Sequence, residues 1–421
     1  MAKVKVQKVA ILGLGYVGLP LARVLSKHRS YRVVGIDINA ARIRELRNEQ
    51  RRSLIEFTTD FSRLAECDIA VVCVPTPVDR NFTPNYEPLK SAVQQIANYL
   101  HKGQLVVIES TINPGTCEEV VLPILERASI NSRNAKGERD FFLAHCPERI
   151  DPGSKKWHLV NIPRIVGGLG KKSRKLATDF YKSFIGANIK PLNSLKAAEA
   201  TKIVENAFRD INIAFVNELA QSFDKFGIDI SEVIAGASTK PFAFMPHQPG
   251  CGVGGHCIPV DPYYLIERAR KQGFSHDFLK MARAVNHSMP AYTVKLLEKE
   301  MARLRLSKNK TTVGLLGLSY KPNIADLRES PALEILDILK KKNFRVVTHD
   351  PHVGKLSSAR SLAAFLKKSD VVVLATAHRE FRKLTPEVLK SNNIVAVIDG
   401  RNVLPKERIL RAGIAYKGIG R

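Results

Sequence analysis

The chain has 421 residues, with 66 Lys and Arg against 40 Asp and Glu, a formal net charge of +26. Its 44% hydrophobic and 25% charged residues exclude a disordered or low-complexity chain and leave room for roughly two to four globular domains. The basic residues are spread along predicted helices and accompany no nucleic-acid motif, so they read as a solvated surface or one suited to a small anion, with no specific nucleic-acid partner.

An apolar strand is predicted over 8–12. It runs into Gly13-Leu14-Gly15-Tyr16-Val17-Gly18, a helical pattern to about 27, and a second strand over 31–36 that ends at Asp37. This is a dinucleotide fingerprint in its proper context. Gly13 permits the tight turn, Gly15 lets backbone approach a pyrophosphate, and Gly18 lets helix and strand pack closely. Tyr16 and Val17 complete the loop. Asp37 lies where it can bind both ribose hydroxyls and repel a 2′-phosphate, which favours NAD over NADP; Arg42 is the one residue that tempers this. The apolar run 9–25 is broken by these glycines and by Pro20, which excludes a membrane helix or a secretory leader and sets the expectation of a cytoplasmic protein.

Further strands are predicted over 69–74, 105–109 and 141–144. Each ends in a polar or proline-rich loop: Pro75-Thr76-Pro77, Ser110-Thr111 and Cys146-Pro147-Glu148-Arg149. Ligands of open α/β sheets bind beyond the carboxyl ends of strands, so these loops are expected to converge on the cofactor.

One long helix is predicted over 196–225, capped by Asn193-Ser194. Lys202 and Asn206 are four apart and share a face of it. More helix follows to about 234. Then comes Gly250-Cys251-Gly252-Val253-Gly254-Gly255-His256-Cys257-Ile258-Pro259-Val260-Asp261, a glycine loop ending in a thiol with a carboxylate four residues on. A thiol so displayed can attack a carbonyl carbon, and the carboxylate can orient a water or accept a proton. The six cysteines (67, 73, 117, 146, 251 and 257) form no C-x-x-C pair, so neither a disulfide framework nor a zinc or other metal site is expected. Helices over 263–303 complete an all-helical middle region of the kind that links two sheets and forms a dimer interface.

The α/β pattern returns at 311. Residues 313–320 echo 9–16 without the third glycine, and a strand over 345–348 ends near Asp350, as 31–36 ends at Asp37. Strands over 371–375 and 394–398 follow, with Asp399-Gly400-Arg401-Asn402 on the ligand edge. The expected fold is α/β: two doubly wound Rossmann-like domains, 1–192 and 306–421, joined by a helical central region, 193–305.

This order of motifs resembles the nucleotide-sugar 6-dehydrogenases, the UDP-glucose/GDP-mannose dehydrogenase family. Its most specific marks are GLGYVGLP at 13–20, ESTINPGT at 109–116, CPERIDPG at 146–153, KIVENAFRDINIAFVNE at 202–218, GVGGHCIPVDPYYL at 252–265 and GLSYKPNIADLRESPA at 317–332. The resemblance implies a four-electron oxidation of a sugar C6 alcohol by two NAD, with Cys257 carrying a thioester. It implies that Lys202 and Asn206 hold the oxyanion and that Asp261, Thr111 and Glu148 manage the water and protons. Pro75, Thr76, Ser110, Thr111 and Arg328 would serve the cofactor. Glu148, Arg149, Lys202, Asn206, Gly254, Gly255, Lys321 and Arg401 would serve the UDP-sugar.

Departures refine the branch. The glucose enzymes usually carry serine before the thiol and lysine before the aspartate; here these are His256 and Val260. A second glutamate usual in that branch is replaced by Pro152, leaving Glu148 or Asp151 for water activation. The segment 38–57 is also shorter than is usual. These forms resemble the UDP-N-acetylhexosamine branch, and DPG at 151–153 the UDP-N-acetylglucosamine enzymes more than the UDP-N-acetylmannosamine ones. UDP-N-acetylmannosamine and UDP-glucose remain the alternatives. A non-catalytic nucleotide-sugar or NAD sensor and a two-electron hydroxyacid dehydrogenase are the competing classes. A homodimer or higher homo-oligomer without membrane insertion is expected.

Overall fold

The computed structural model describes residues 6–49, 54–79, 83–128, 139–150 and 156–421, so Asp151 and Pro152 lie outside the described residues. The chain forms two compact units, Met1–Glu205 with Tyr263–Phe274, and Asn206–Pro262 with Ser275–Arg421. Residues of the helical middle, 193–305, are divided between these two units.

The first unit is built on β1 (Gln7–Leu12), β2 (Tyr31–Ile36), β3 (Ile55–Thr58), β4 (Ile69–Val72), β5 (Leu105–Ile108), β6 (Phe142–His145), β7 (Arg164–Gly168) and β8 (Ile189–Pro191). Their order is β3-β2-β1-β4-β5-β6-β7-β8, and only the β6–β7 pair is antiparallel. Sequence order reverses between β1 and β4, whose ends are in register at Leu12 and Val72. That is the position at which a doubly wound sheet opens a ligand crevice. Alternation along β1 explains the two-faced core. Val9 and Ile11 pack with Leu21 and Leu25 on one side, while Ala10 and Leu12 pack with Leu89 and Val93 on the other.

The second unit carries β9 (Thr312–Leu316), β10 (Arg345–His349), β11 (Val371–Leu374), β12 (Ala396–Asp399) and β13 (Ala415–Gly418), all parallel in the order β10-β9-β11-β12-β13. One face takes Ile335 and Leu339 together with Val216, Ala220, Leu296 and Leu297. The other takes Phe365 and Leu389. The fold is therefore α/β with two Rossmann-like sheets and helices between them in sequence.

Two helices dominate the middle. Leu195–Phe226 contains neither proline nor glycine, and the Ser194 hydroxyl accepts the Ala197 N–H at 3.1 Å as its cap. Asp277–Arg303 continues through Pro290. No helix among the described residues is long and apolar enough to cross a membrane.

Candidate active site

In the first unit the three fingerprint glycines meet three different constraints. Gly13 has φ +90, and a Cβ there would lie 2.8 Å from the Cys73 carbonyl oxygen. A Cβ on Gly18 would lie 1.9 Å from the Gly13 oxygen, whereas one on Gly15 would meet nothing within 4 Å. The middle glycine therefore faces open space, as a backbone that receives a pyrophosphate must, and the loop fits NAD. Tyr16 is largely exposed beside it. Asp37 is fixed at the end of β2: its Oδ2 accepts the Leu14 N–H at 2.8 Å and its Oδ1 the Asn39 N–H at 2.9 Å. Arg42, the residue that tempered the choice of NAD, is paired with Glu45 at 2.7 Å.

The loops after β4 and β5 are laced together. The Thr76 hydroxyl donates to the Thr111 carbonyl at 2.6 Å, and the Ser110 hydroxyl to the Val74 carbonyl at 2.7 Å. The Tyr264 hydroxyl donates to the Thr76 carbonyl. Pro75 stays exposed and Thr111 half-buried. Glu199, fully buried on the long helix, accepts the Gly115 and Cys117 N–H groups at 2.5 and 2.8 Å and so holds the 113–117 turn. Glu199 and Tyr264 were missed in the sequence. The available signal was Glu199 three residues before Lys202, on the same helix face.

Lys202 is buried, 8% exposed, and its cation favours the ionised form of Glu148. Burial nevertheless raises the Glu148 pKa above the ordinary carboxylate value. The Glu148 carboxylate also accepts the Ile150 N–H. Arg149 is committed to Glu205 through two hydrogen bonds, at 2.5 and 3.2 Å, and to the Pro163 carbonyl at 2.8 Å. It pins the 146–150 loop to the long helix.

In the second unit the thiol loop and the long helix meet. Cys257 is exposed, whereas the other five cysteines are buried. The Cys257 carbonyl accepts the Val260 and Asp261 N–H groups at 3.1 and 2.8 Å, a turn that leads into the helix Asp261–Arg270. Asp261 is buried, and the Asn206 amide donates to its Oδ2 at 2.5 Å. An amide and a carboxylate are thereby fixed at the base of the turn that bears the thiol.

Gly254 and Gly255 are required by close approach. A Cβ on Gly254 would lie 2.5 Å from the Glu329 oxygen, and one on Gly255, with φ +93, would lie 2.7 Å from the Tyr320 ring. The Gly255 N–H donates to the Arg328 carbonyl at 2.9 Å. The Arg328 guanidinium is paired with Asp326 at 2.6 Å, and burial together with Arg328 lowers the His256 pKa. Arg401 donates through Nε to the Ala375 carbonyl at 2.7 Å, beyond the end of β11. Lys321 is half-buried just after Tyr320.

The echoed fingerprint of the second sheet is closed from within. The Asp350 Oδ2 accepts the Leu318 and Ser319 N–H groups at 2.7 and 2.9 Å and the Ser319 hydroxyl at 2.8 Å. It also receives His378 Nε2 at 3.0 Å, while His378 Nδ1 accepts the Asn323 N–H at 2.8 Å. The Leu318 and Ser319 N–H groups, at the positions that echo Leu14 and Gly15, are thus hydrogen-bonded within the unit. His352, His378 and Glu380 place ligand atoms within 4.8 Å of one another, but both ring nitrogens of His378 are already hydrogen-bonded.

Comparison with known proteins gives these residues a setting. Residues 7–185 match the NAD binding domain of the UDP-glucose/GDP-mannose dehydrogenase family, 196–288 its central domain and 314–406 its UDP binding domain. The chain is 38% identical over 401 residues to UDP-N-acetyl-D-glucosamine 6-dehydrogenase of Pseudomonas aeruginosa, covering 91% of this chain and 93% of the relative. It is 34% identical over 440 residues to UDP-N-acetyl-D-mannosamine dehydrogenase of Methanococcus vannielii, covering 99% and 98%. Among solved structures, a UDP-D-ManNAc dehydrogenase from Pyrococcus horikoshii superposes with TM-score 0.89 at 34% identity, over 98% of this chain and 99% of that one. With three consecutive family domains on an NAD-type fingerprint sheet and a second parallel sheet, the chain belongs to the UDP-glucose/GDP-mannose dehydrogenase family of NAD-dependent nucleotide-sugar 6-dehydrogenases.

Proposed function

We propose that the chain oxidises the C6 alcohol of a UDP-N-acetylhexosamine, UDP-N-acetylglucosamine first, to the uronic acid. The observation that carries the reading is the exposed Cys257 on a turn whose base holds Asn206 and the buried Asp261. NAD, when bound, accepts the hydride in each of two oxidations. After the first, the Cys257 thiolate adds to the aldehyde carbon and forms a carbon–sulfur bond. The resulting hemithioacetal loses the second hydride and a proton to become a thioester. Water then displaces the thiol and gives the carboxylate. The balance is one alcohol, two NAD and one water giving one carboxylate, two NADH and three protons.

Lys202 and Asn206 donate to the oxygen that carries developing negative charge at each stage. Glu148, Asp261 and Thr111 are the groups proposed to hold the water and take its proton. Gly254 and Gly255 let the thiol loop pack against Glu329 and Tyr320, which sets the loop backbone that the sugar is proposed to meet. Arg401 and Lys321 are proposed to meet the charge of the diphosphate, Arg149 supports the sugar side through its loop, and Arg328 is proposed for a cofactor phosphate.

His256 and Val260, in place of the serine and lysine usual in the glucose branch, favour an N-acetylated sugar. The relatives named for UDP-N-acetylmannosamine carry a second reading, with the manno epimer as substrate. Assay of the purified enzyme with UDP-GlcNAc, UDP-ManNAc and UDP-glucose side by side tests both. A kcat/KM at least about tenfold higher for UDP-GlcNAc, the scale of one well-placed discriminating contact, is expected. Preference for either other sugar overturns the gluco N-acetyl assignment while leaving the reaction intact.

We also propose that the working form is a homodimer or higher homo-oligomer formed through the second unit. Phe208 and Phe215 stand one heptad apart on the long helix, 48% and 53% exposed, and Phe242, Met245, Phe278 and Met281 are more exposed still. Large apolar side chains left exposed in this number within one unit favour burial against a second copy. Phe215→Glu is expected to shift the sedimentation profile toward monomer without lowering solubility. An unchanged profile would remove this face from the interface.

A further inference from the structure

We infer that a buried polar strut, Arg283–Asp210–Asn286–Asn217, fixes the start of the thiol loop and makes Asn217 and Asn286 positioning residues for the chemistry at Cys257. The inference rests on the covalent reading above. All members lie in the second unit. The Arg283 Nη1 donates to the Asp210 Oδ1 at 2.6 Å. The Asn286 amide donates to the same oxygen at 2.8 Å and to the Asp210 carbonyl at 2.9 Å. The Asn217 amide donates to the Asn286 Oδ1 at 2.9 Å, and the Asn217 Oδ1 accepts the Gly250 N–H, also at 2.9 Å.

Asp210, Asn217 and Asn286 are at most 1% exposed, so each bond forms away from water, where a missing partner is costly. Direction is forced along the chain. Asp210 only accepts when ionised, so Asn286 must turn its amide nitrogen toward it and its oxygen toward Asn217. Asn217 must then offer its oxygen to Gly250. A helix-to-helix polar connection would end at Asn286; this one continues to the backbone of a loop.

That loop is seated where movement matters. The Cys251 N–H donates to the Gly400 carbonyl at 3.1 Å, and its thiol to the Ala375 carbonyl at 3.3 Å. The Gly250 α-carbon sits so close to Arg401 that a Cβ would lie 2.8 Å from Nη1. Arg401 itself donates to Ala375. The strut therefore sets the register between the stem of the thiol loop and the proposed diphosphate-binding arginine. Seven residues after Gly250 comes Cys257.

The test compares Asn217→Ala, which removes the acceptor, with Asn217→Asp, which retains it for Gly250 but meets Asn286 with a second oxygen. In the full-length Ala variant, hydrogen exchange of the peptide containing Gly250 should quicken about tenfold, the effect of one lost buried hydrogen bond. Its kcat should fall about 10- to 100-fold, the cost of misplacing a reacting group, with the KM for NAD unchanged. NADH formed per sugar consumed should drop below the wild-type value as aldehyde escapes. The Asp variant should hold Gly250 exchange and kcat nearer wild type than the Ala variant, even when its melting temperature is no higher. Equal exchange in wild type and Ala, or faster exchange with wild-type kcat, overturns the positioning role. If Cys257→Ser keeps full turnover, the covalent reading fails instead, and the exchange result still reports on the strut.

Discussion

Cys257→Ser is expected to abolish net acid formation, with a loss of about 10³-fold or more in the steady-state rate, the scale seen when a covalent nucleophile is removed. The argument is chemical. A thiol ionises within reach of neutral pH, whereas a serine hydroxyl does not, and only the ionised form attacks the aldehyde carbon efficiently. The sulfur also leaves well when water attacks the thioester; an ester oxygen leaves less readily. The variant should retain binding of NAD and UDP-sugar, because neither reading of those sites uses the sulfur. It should therefore give at most one NADH per sugar consumed, against two for wild type. Iodoacetamide should mimic the substitution, since Cys257 is exposed and the other five cysteines are buried. Full turnover in the serine variant would end the thioester mechanism, and a ratio of one NADH per sugar in the wild type would leave a two-electron enzyme on the same fold.

Local signals made the cofactor half of this site legible. The constraints on Gly13, Gly15 and Gly18 are set within a few residues of each glycine, so spacing alone conveys them. Cys73, which crowds Gly13, follows the strand that pairs with β1, and that strand was visible as an apolar run. The long helix was equally clear, because 32 residues without a breaker leave little else for the chain to form. Strands β3, β7, β8 and β13 were not read. Each has five residues or fewer, and Ile189–Pro191 and Ala415–Gly418 carry no apolar run to mark them.

Long-range hydrogen bonds were the hidden part. Residues 313–320 look like a weakened cofactor loop, yet whether their N–H groups are available depends on Asp350 and His378, which fold back from 31 to 60 residues away. Spacing places Lys202 and Asn206 on one face, but only the structure joins Asn206 to Asp261. The same holds for Asn217 and Asn286. Each reads as a polar residue in a helix, and 69 residues separate them along the chain.

The coupling of Lys202 to Glu148 gives the second large effect. Lys202→Met, which keeps the length of the side chain and removes its charge, is expected to lower kcat about 10²- to 10³-fold, the usual cost of losing one oxyanion donor. It should also move the acid limb of the residual activity to higher pH. Glu148 must be ionised to take a proton from water, and burial already raises its pKa above the ordinary carboxylate value. The Lys202 cation opposes that rise by favouring the carboxylate. Removing it leaves only Arg164 and the Ile150 N–H to oppose the effect of burial, so Glu148 holds its proton to a higher pH and activity falls off sooner on acidification. Wild type and variant should converge in shape, though not in height, at alkaline pH, where Glu148 is ionised in both. Glu148→Gln supplies the control: it should remove the acid limb altogether. A pH profile of Lys202→Met that is scaled down but not displaced would mean that Glu148 does not govern the acid limb, and water activation would pass to Asp261.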